Sequence, residues 1–515
     1  MKAPHVYTLL YHGSQHSEIS GEFSLPDYLP DVRRILRVKA DPHITGKYMN
    51  GERLEFEGEV SMTLIYLSEE QTVCAFSAAI PFSQNAAVAG LDESTVITAR
   101  LHADNSACRL MGPRKCVLRT RPTLRIRAAA KMSTVPDTQS LPDANALCTD
   151  SRPIPTADLI CISRDALRYS EDIACADGAI VSVLSCDVTP CVRECRVSAG
   201  HVVCKGEFLI SALCSVMTDG DTACRALTSR VPFSESLDGE GVTEEHRCEP
   251  DLTVISVTPT VTEEGHNLGV DFCCDAAVIC SSDSTADIIT DAFLPTADVR
   301  VQGEPHTVFR PLKTVYGTCN VSGSLSHDPQ EPLGSVLDCR MRPTLDRYES
   351  KDGRLLLDGS AEVSLICLSA DGKYLPLTGS FPLHWETDGA GLPDAADLLI
   401  FSDCTATAPS MRIDPSANTV ICDAELSVCL SLSAKETYVL PRALTVAQNS
   451  PTYTPPTEPL ILCYPEEGEQ LWDIAKRYRI PPQTIRRANH LDGGKIAKAS
   501  PLVIPIHPLF ADMKA

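Results

Sequence analysis

Arg53-Leu54-Glu55-Phe56-Glu57-Gly58-Glu59-Val60-Ser61-Met62-Thr63-Leu64-Ile65-Tyr66-Leu67 is followed, after a polar turn, by Ile80-Pro81-Phe82. Val60, Met62 and Leu64 alternate with polar residues, which is the period of a half-buried strand. Gly58 sits inside that run, and a mid-strand glycine marks a bulge or a close backbone approach. Pro81 has no N–H for a ladder, so it belongs at a strand end or edge.

The stretch recurs. A second copy runs from His201 to Cys214 around Gly206 and ends in Val231-Pro232-Phe233; a third runs from Arg354 to Cys367 around Gly359 and ends in Phe381-Pro382-Leu383. The glycines are 148 and 153 positions apart, and glycine to proline is 23, 26 and 23 positions. A short spacing preserved inside a long period indicates duplication. Asp219-Gly220 and Asp371-Gly372 mark hairpin turns, because glycine tolerates positive φ. Further strands are expected over Ala107–Ala128, Leu252–Ile279 and Thr419–Val439. Within the first of these, Lys115 to Arg127 alternates apolar with basic residues and reads as a strand with a solvated basic face. Pro30-Asp31-Val32-Arg33-Arg34-Ile35-Leu36 has helical spacing and an Asp31 cap, and is read as a helix. The Pro26-Asp27 and Pro30-Asp31 steps before it read as turns.

The expected fold is mainly β: three divergent β-rich, sandwich-like repeats at 1–150, 151–320 and 321–448, a linker at 449–459, and a small βααβ domain at 460–507. Four prolines in the linker predict an extended, semi-rigid spacer that holds the last domain away from the rest. That domain opens with the strand Leu460–Tyr464. Leu471, Ile474, Ala475 and Tyr478 then fall on one helix face. Pro481-Pro482 ends this helix and starts a second carrying Ile485 and Ala488. Asp492-Gly493-Gly494 turns the chain, and Leu502-Val503-Ile504-Pro505 closes the sheet.

Two resemblances follow from these residues. Leu25-Pro26-Asp27-Tyr28-Leu29-Pro30-Asp31-Val32-Arg33-Arg34-Ile35-Leu36, Glu57-Gly58-Glu59-Val60 and Ile80-Pro81-Phe82 resemble the SPOCS domain of endospore-forming bacteria. The second and third copies keep the glycine and proline anchors without the Pro-Asp entry. The resemblance implies a sporulation role and no catalytic residues. Glu467-Gly468-Glu469, Leu471 to Tyr478, Asn489-His490-Leu491 and Leu502-Val503-Ile504-Pro505 resemble a LysM module. That resemblance implies two helices on a two-stranded sheet and a shallow groove for N-acetylglucosamine-containing glycans such as peptidoglycan. Its two loops map to Gly468, Glu469 and Gln470, and to about Ile496–Ser500, including Lys498 and Ala499. Glu469-Gln470 and Lys498-Ala499 replace the family's capping hydroxyl and Pro-Gly turn, which argues against glycan binding. Trp472 is read as core or core-edge, and Asn489 belongs to the same set of binding candidates. Lys476, Arg477, Arg479, Arg486 and Arg487 form a basic surface on the two helices, which reads as a solvated face or as a docking face for an acidic protein.

The charge balance agrees with this division. The chain of 515 residues carries a net charge of −23, which weighs against nucleic acid as a partner. The segment from Leu460 onward is instead about +2. No window reaches the length of a transmembrane span, and the N-terminus has no apolar run of signal-peptide type, so a soluble cytosolic chain is expected. The 23 Cys then read as reduced, small core hydrophobes. Cys186, Cys191 and Cys195 fit no common zinc spacing, and no metal or cofactor is expected. No phosphate loop, HExxH or GxSxG is found, so no catalytic residues are assigned. The architecture resembles that of clostridial spore-coat morphogenetic proteins. It implies a mother-cell scaffold at the forespore surface, docked on a spore-coat morphogenetic ATPase or other coat protein. The other reading is a peptidoglycan-binding protein of the spore cortex or wall.

Overall fold

The structure is a computed structural model that describes residues 5–198, 200–218, 220–262, 264–447, 458–466, 468–491 and 501–506. Three sets of strands make the body. The first comprises β1 (His5–His16), β2 (Ile19–Ser24), β3 (Val32–Asn50), β4 (Arg53–Ser68), β5 (Val73–Ala87), β6 (Val96–Gly112) and β7 (Lys115–Ser133). The second comprises β8 (Cys148–Ala174), β9 (Ala179–Ser198), β10 (His201–Thr218), β11 (Asp221–Asp238), β12 (Arg247–Val261) and β13 (Asn267–Phe293). The third comprises β14 (Val299–Ser326), β15 (Leu333–Lys351), β16 (Arg354–Ser369), β17 (Tyr374–Asp388), β18 (Leu398–Asp414) and β19 (Thr419–Val446). The tail adds β20 (Leu460–Cys463), α1 (Leu471–Tyr478), α2 (Pro482–Ala488) and β21 (Leu502–Pro505).

Each set has one topology. Three consecutive strands form an antiparallel meander: β3-β4-β5, β9-β10-β11 and β15-β16-β17. The last strand pairs with both its hairpin partner and the first strand, as in β12-β13-β8 and β18-β19-β14. In the first set the opening strand is split, since β1 and β2 pair successively along β7. The two sheets of each set face one another and enclose an apolar core. The sandwich reading therefore holds for all three sets. The boundary expected between residues 320 and 321 falls inside β14, which pairs along its length with β19, so the third set begins at Val299.

The glycine pattern has a direct cause. Gly58 lies opposite Phe82, Gly206 opposite Phe233, and Gly359 opposite Leu383, so the fixed spacing is a hairpin register. On the other side of each glycine the first meander strand carries one extra residue: Thr45, Arg193 and Asp346. A Cβ on Gly58, Gly206 or Gly359 would lie 2.3, 2.1 or 1.8 Å from the carbonyl oxygen of His43, Cys191 or Thr344. The bulge brings backbone against backbone where only glycine fits.

The segment read as a helix, 30–36, is instead the entry to β3. Two bulges there, leaving Arg33 and Leu36 without partners in β4, break the two-residue alternation. They space Val32, Ile35 and Leu36 as a helix would. The turn before it does form, with Leu29 N–H donating to the Pro26 carbonyl at 3.0 Å.

Corresponding positions of the three sets meet at a common centre. Leu36 and Leu184 with Leu337, and Ile65 with Leu213 and Ile366, form one cluster. These triplets keep the same 148 and 153 offsets as the glycines. Lys39, Asp187 and Arg340 are a further such triplet, and Asp187 accepts from both cations. Arg37 pairs with Asp338 beside them and is also buried. Another layer joins Arg127 of the first set to Glu249 of the second at 2.7 Å, with the guanidinium 5.0 Å from both the Phe309 and Phe401 rings of the third. Arg127 is thus buried, not part of a solvated basic face; Lys115, Arg119 and Arg121 keep that exposure.

Candidate binding site

The tail folds around Leu471, Ile474, Ala475, Ile480, Ile485, Leu502 and Ile504, all buried. β20 and β21 pair antiparallel, Leu460 opposite Pro505 and Cys463 opposite Leu502. At the start of α1, Asp473 accepts from the Gln470 N–H at 3.4 Å, the N3-to-N-cap half of a capping box. Arg479 ends the helix in the left-handed region, φ +56°. Pro482 occupies the first turn of α2. The βααβ reading holds.

The candidate residues separate into three groups. Gly468, at φ +86°, permits the turn into α1. Glu469 accepts from Glu466 N–H at 3.0 Å and pairs with Arg477, which holds the same loop. Asn489 is committed to the fold: its amide donates to the Ile485 carbonyl at 2.8 Å and to the Val503 carbonyl at 2.7 Å, and accepts from Val503 N–H at 2.6 Å. Gln470, Trp472 and Arg486 line a cleft of about 530 Å³, shared with Asn145, Cys148 and Asp150 of the body. Arg487 is exposed on α2. Lys498 and Ala499, and the turn expected at 492–494, lie outside the described residues.

The cleft exists because the module sits on the body. Phe293, the last residue of β13, is fully buried within the module's core, 5.2 Å from the Trp472 ring. Trp472 Nε1 donates to Asp291 at 2.8 Å, and Lys476 Nζ donates to both oxygens of that carboxylate at 2.6 Å. Arg479 binds the Leu294 carbonyl and the Asp298 carboxylate. Burial alone would raise the Asp291 pKa, but the Lys476 and Trp472 hydrogen bonds and the Lys476 charge outweigh it and leave it lowered. The tail is therefore packed against the second set of strands and is not held off it. Three of the five basic residues of the expected docking face, Lys476, Arg477 and Arg479, are paired within the chain. Arg486 and Arg487 have no ion pair among the described residues, and Arg486 Nε is buried without a hydrogen-bond partner there.

The seam residues Asp291, Phe293 and Asp298 carried no sequence signal beyond a second-set strand that runs past its expected end at Ile279.

Comparison with known families agrees with this architecture. The family described as "SipL, SPOCS domain" matches residues 31–110 and 179–262, which cover β3–β6 and β9–β12. The LysM domain matches residues 466–505, which hold both helices and β21. No curated protein and no solved structure matches the chain. The chain thus contains a SPOCS domain, a sporulation-related type, and a C-terminal LysM domain, and both are non-catalytic binding domain types. Among the described residues no helix is long and apolar enough to cross a membrane.

Proposed function

We propose that this protein is a non-catalytic sporulation scaffold whose LysM module docks on an acidic spore-coat morphogenetic partner, on the mother-cell side of the forespore. The three-part body supplies rigidity, and the module presents the contact. The observation that carries this reading is the pair Arg486 and Arg487, without ion pairs among the described residues, while Lys476 and Arg479 are used to seat the module. Unpaired guanidinium groups beside a cleft favour carboxylate-rich partners. Pull-down of coat proteins from sporulating cells with the full-length R486E/R487E variant tests it. A loss of capture of at least about tenfold, or 1.4 kcal/mol, is expected. Capture at the wild-type level overturns the proposal.

A second reading, peptidoglycan binding, is favoured by the LysM match and by the cleft lined by Trp472, Gln470 and Asn145. Sedimentation of the full-length chain with purified peptidoglycan separates the two. Saturable co-sedimentation that survives R486E/R487E supports this second reading.

A further inference from the structure

All 23 cysteines are unbridged, and 13 of them are buried, as small core hydrophobes would be. Four depart from that pattern by convergence. Cys195 on β9 lies directly opposite Cys204 on β10, and Cys248 on β12 directly opposite Cys280 on β13. These two hairpins belong to the two facing sheets of one sandwich. The Cys195 and Cys204 sulfurs are 2.7 Å apart, and those of Cys248 and Cys280 are 3.9 Å apart.

The sister sets show that this is not what the fold requires. At the 148 and 153 offsets of the repeat, Phe56 and Leu357 stand where Cys204 stands, and Lys47 and Tyr348 where Cys195 stands. Neither of the other two sandwiches places a thiol pair at this register position. Above the four thiols the Tyr316 hydroxyl from β14 is buried with no hydrogen-bond partner among the described residues. The four thiols do not form a group arranged to hold a metal ion.

We infer that this cluster is an oxidisable site in which Cys195 and Cys204 close a cross-strand disulfide in response to a peroxide. Directly opposed residues of an antiparallel pair have Cα atoms about 4.5–5.5 Å apart, inside the range a disulfide spans. Of the two, Cys195 is partly exposed and Cys204 is buried, so the oxidant meets Cys195 first. The Cys195 proton passes to the departing oxygen as the Cys195 sulfur attacks. Attack on hydrogen peroxide breaks the O–O bond, gives a sulfenic acid at Cys195 and releases water. The Cys204 sulfur then displaces the hydroxyl, which leaves as a second water, and the S–S bond forms. Two thiols are oxidised by two electrons in all, and one peroxide is reduced to two waters.

The test uses the full-length protein. Hydrogen peroxide is added, remaining thiols are alkylated in denaturant, and tryptic peptides are mapped without reductant. Cleavage after Arg193, Arg196 and Lys205 puts Cys195 and Cys204 on separate peptides with one cysteine each. The expected result is a linked 194–196/197–205 pair and a loss of two of the 23 thiols. C204S is expected to stop the Cys195 product at sulfenic or sulfinic acid. Both thiols recovered alkylated, under conditions that oxidise the exposed Cys161, would overturn the inference. So would a disulfide from Cys195 to another cysteine, or zinc retained by the purified protein.

Discussion

The centre of the body and the seam under the tail use the same device with different weight. At the centre Asp187 accepts from Lys39 and Arg340; at the seam Asp291 accepts from Lys476 and Trp472. The Lys39 side chain is 7 % exposed and that of Asp187 16 %, while Lys476 and Asp291 are 37 % and 33 % exposed. Water therefore competes at the seam and is largely excluded at the centre. Buried ions left unpaired cost far more than exposed ones, so one geometry fixes the order of three units while the other holds a module that has its own core. The charges also differ in symmetry. Lys39, Asp187 and Arg340 occupy one equivalent position in three units, so the repeats pair as opposites and a like-charged arrangement is disfavoured. The seam has no such redundancy: Asp291 stands against a module present once.

The sharpest way to break the comparison is D187A, which leaves half-buried Arg340 without its ion pair and Lys39 with Asp41 alone. A loss of about 3–5 kcal/mol is expected in urea unfolding. Replacing the whole triplet with K39M/D187L/R340M should restore most of that loss, because no unpaired cation of the triplet is then left buried. If D187A costs no more than D291A, the contrast between the two regions fails.

F293A removes the aromatic plug shared by body and module. It should weaken docking by about 2–4 kcal/mol and leave the melting of the body unchanged. In a W385F background Trp472 is the remaining tryptophan, so its emission reports undocking directly. D291N should act more weakly, by about 1–2 kcal/mol, since it removes charge and keeps an acceptor.

Acid gives a smaller, graded effect at the seam. The Asp291 pKa is lowered on folding, so its contribution is complete above the unfolded carboxylate value of about 3.9 and is lost as pH falls through the lower folded value. Trp472 emission should therefore be flat from pH 7 to about 5 and shift below about 4 in wild type. The D291N variant should lack that component. A shift centred near neutrality would instead point to another group.

Much of the fold was legible because its signals are local. Gly58, Gly206 and Gly359 at fixed distance from Pro81, Pro232 and Pro382 gave the repeat, and the structure shows why: glycine faces the hairpin partner across one strand and a bulge across the other. Leu471, Ile474 and Ala475 gave the tail helix by their spacing. Where bulges intervene the same logic fails. Val32, Ile35 and Leu36 look helical because Arg33 and Leu36 are extra residues in a strand. Of the candidate binding residues, Gln470, Trp472 and Arg486 line the cleft, whereas Asn489 joins α2 to β21.

By itself the chain determined its β-rich character, its threefold internal repeat and the βααβ end, because strand alternation, glycine placement and helix spacing are properties of neighbours in sequence. Only the tertiary structure decided which charges are buried at the centre, that four thiols meet in the second sandwich, and that Phe293 enters the core of the tail. Those contacts join residues tens to hundreds of positions apart, and a proline-rich linker sets how far a module can reach without saying where it comes to rest.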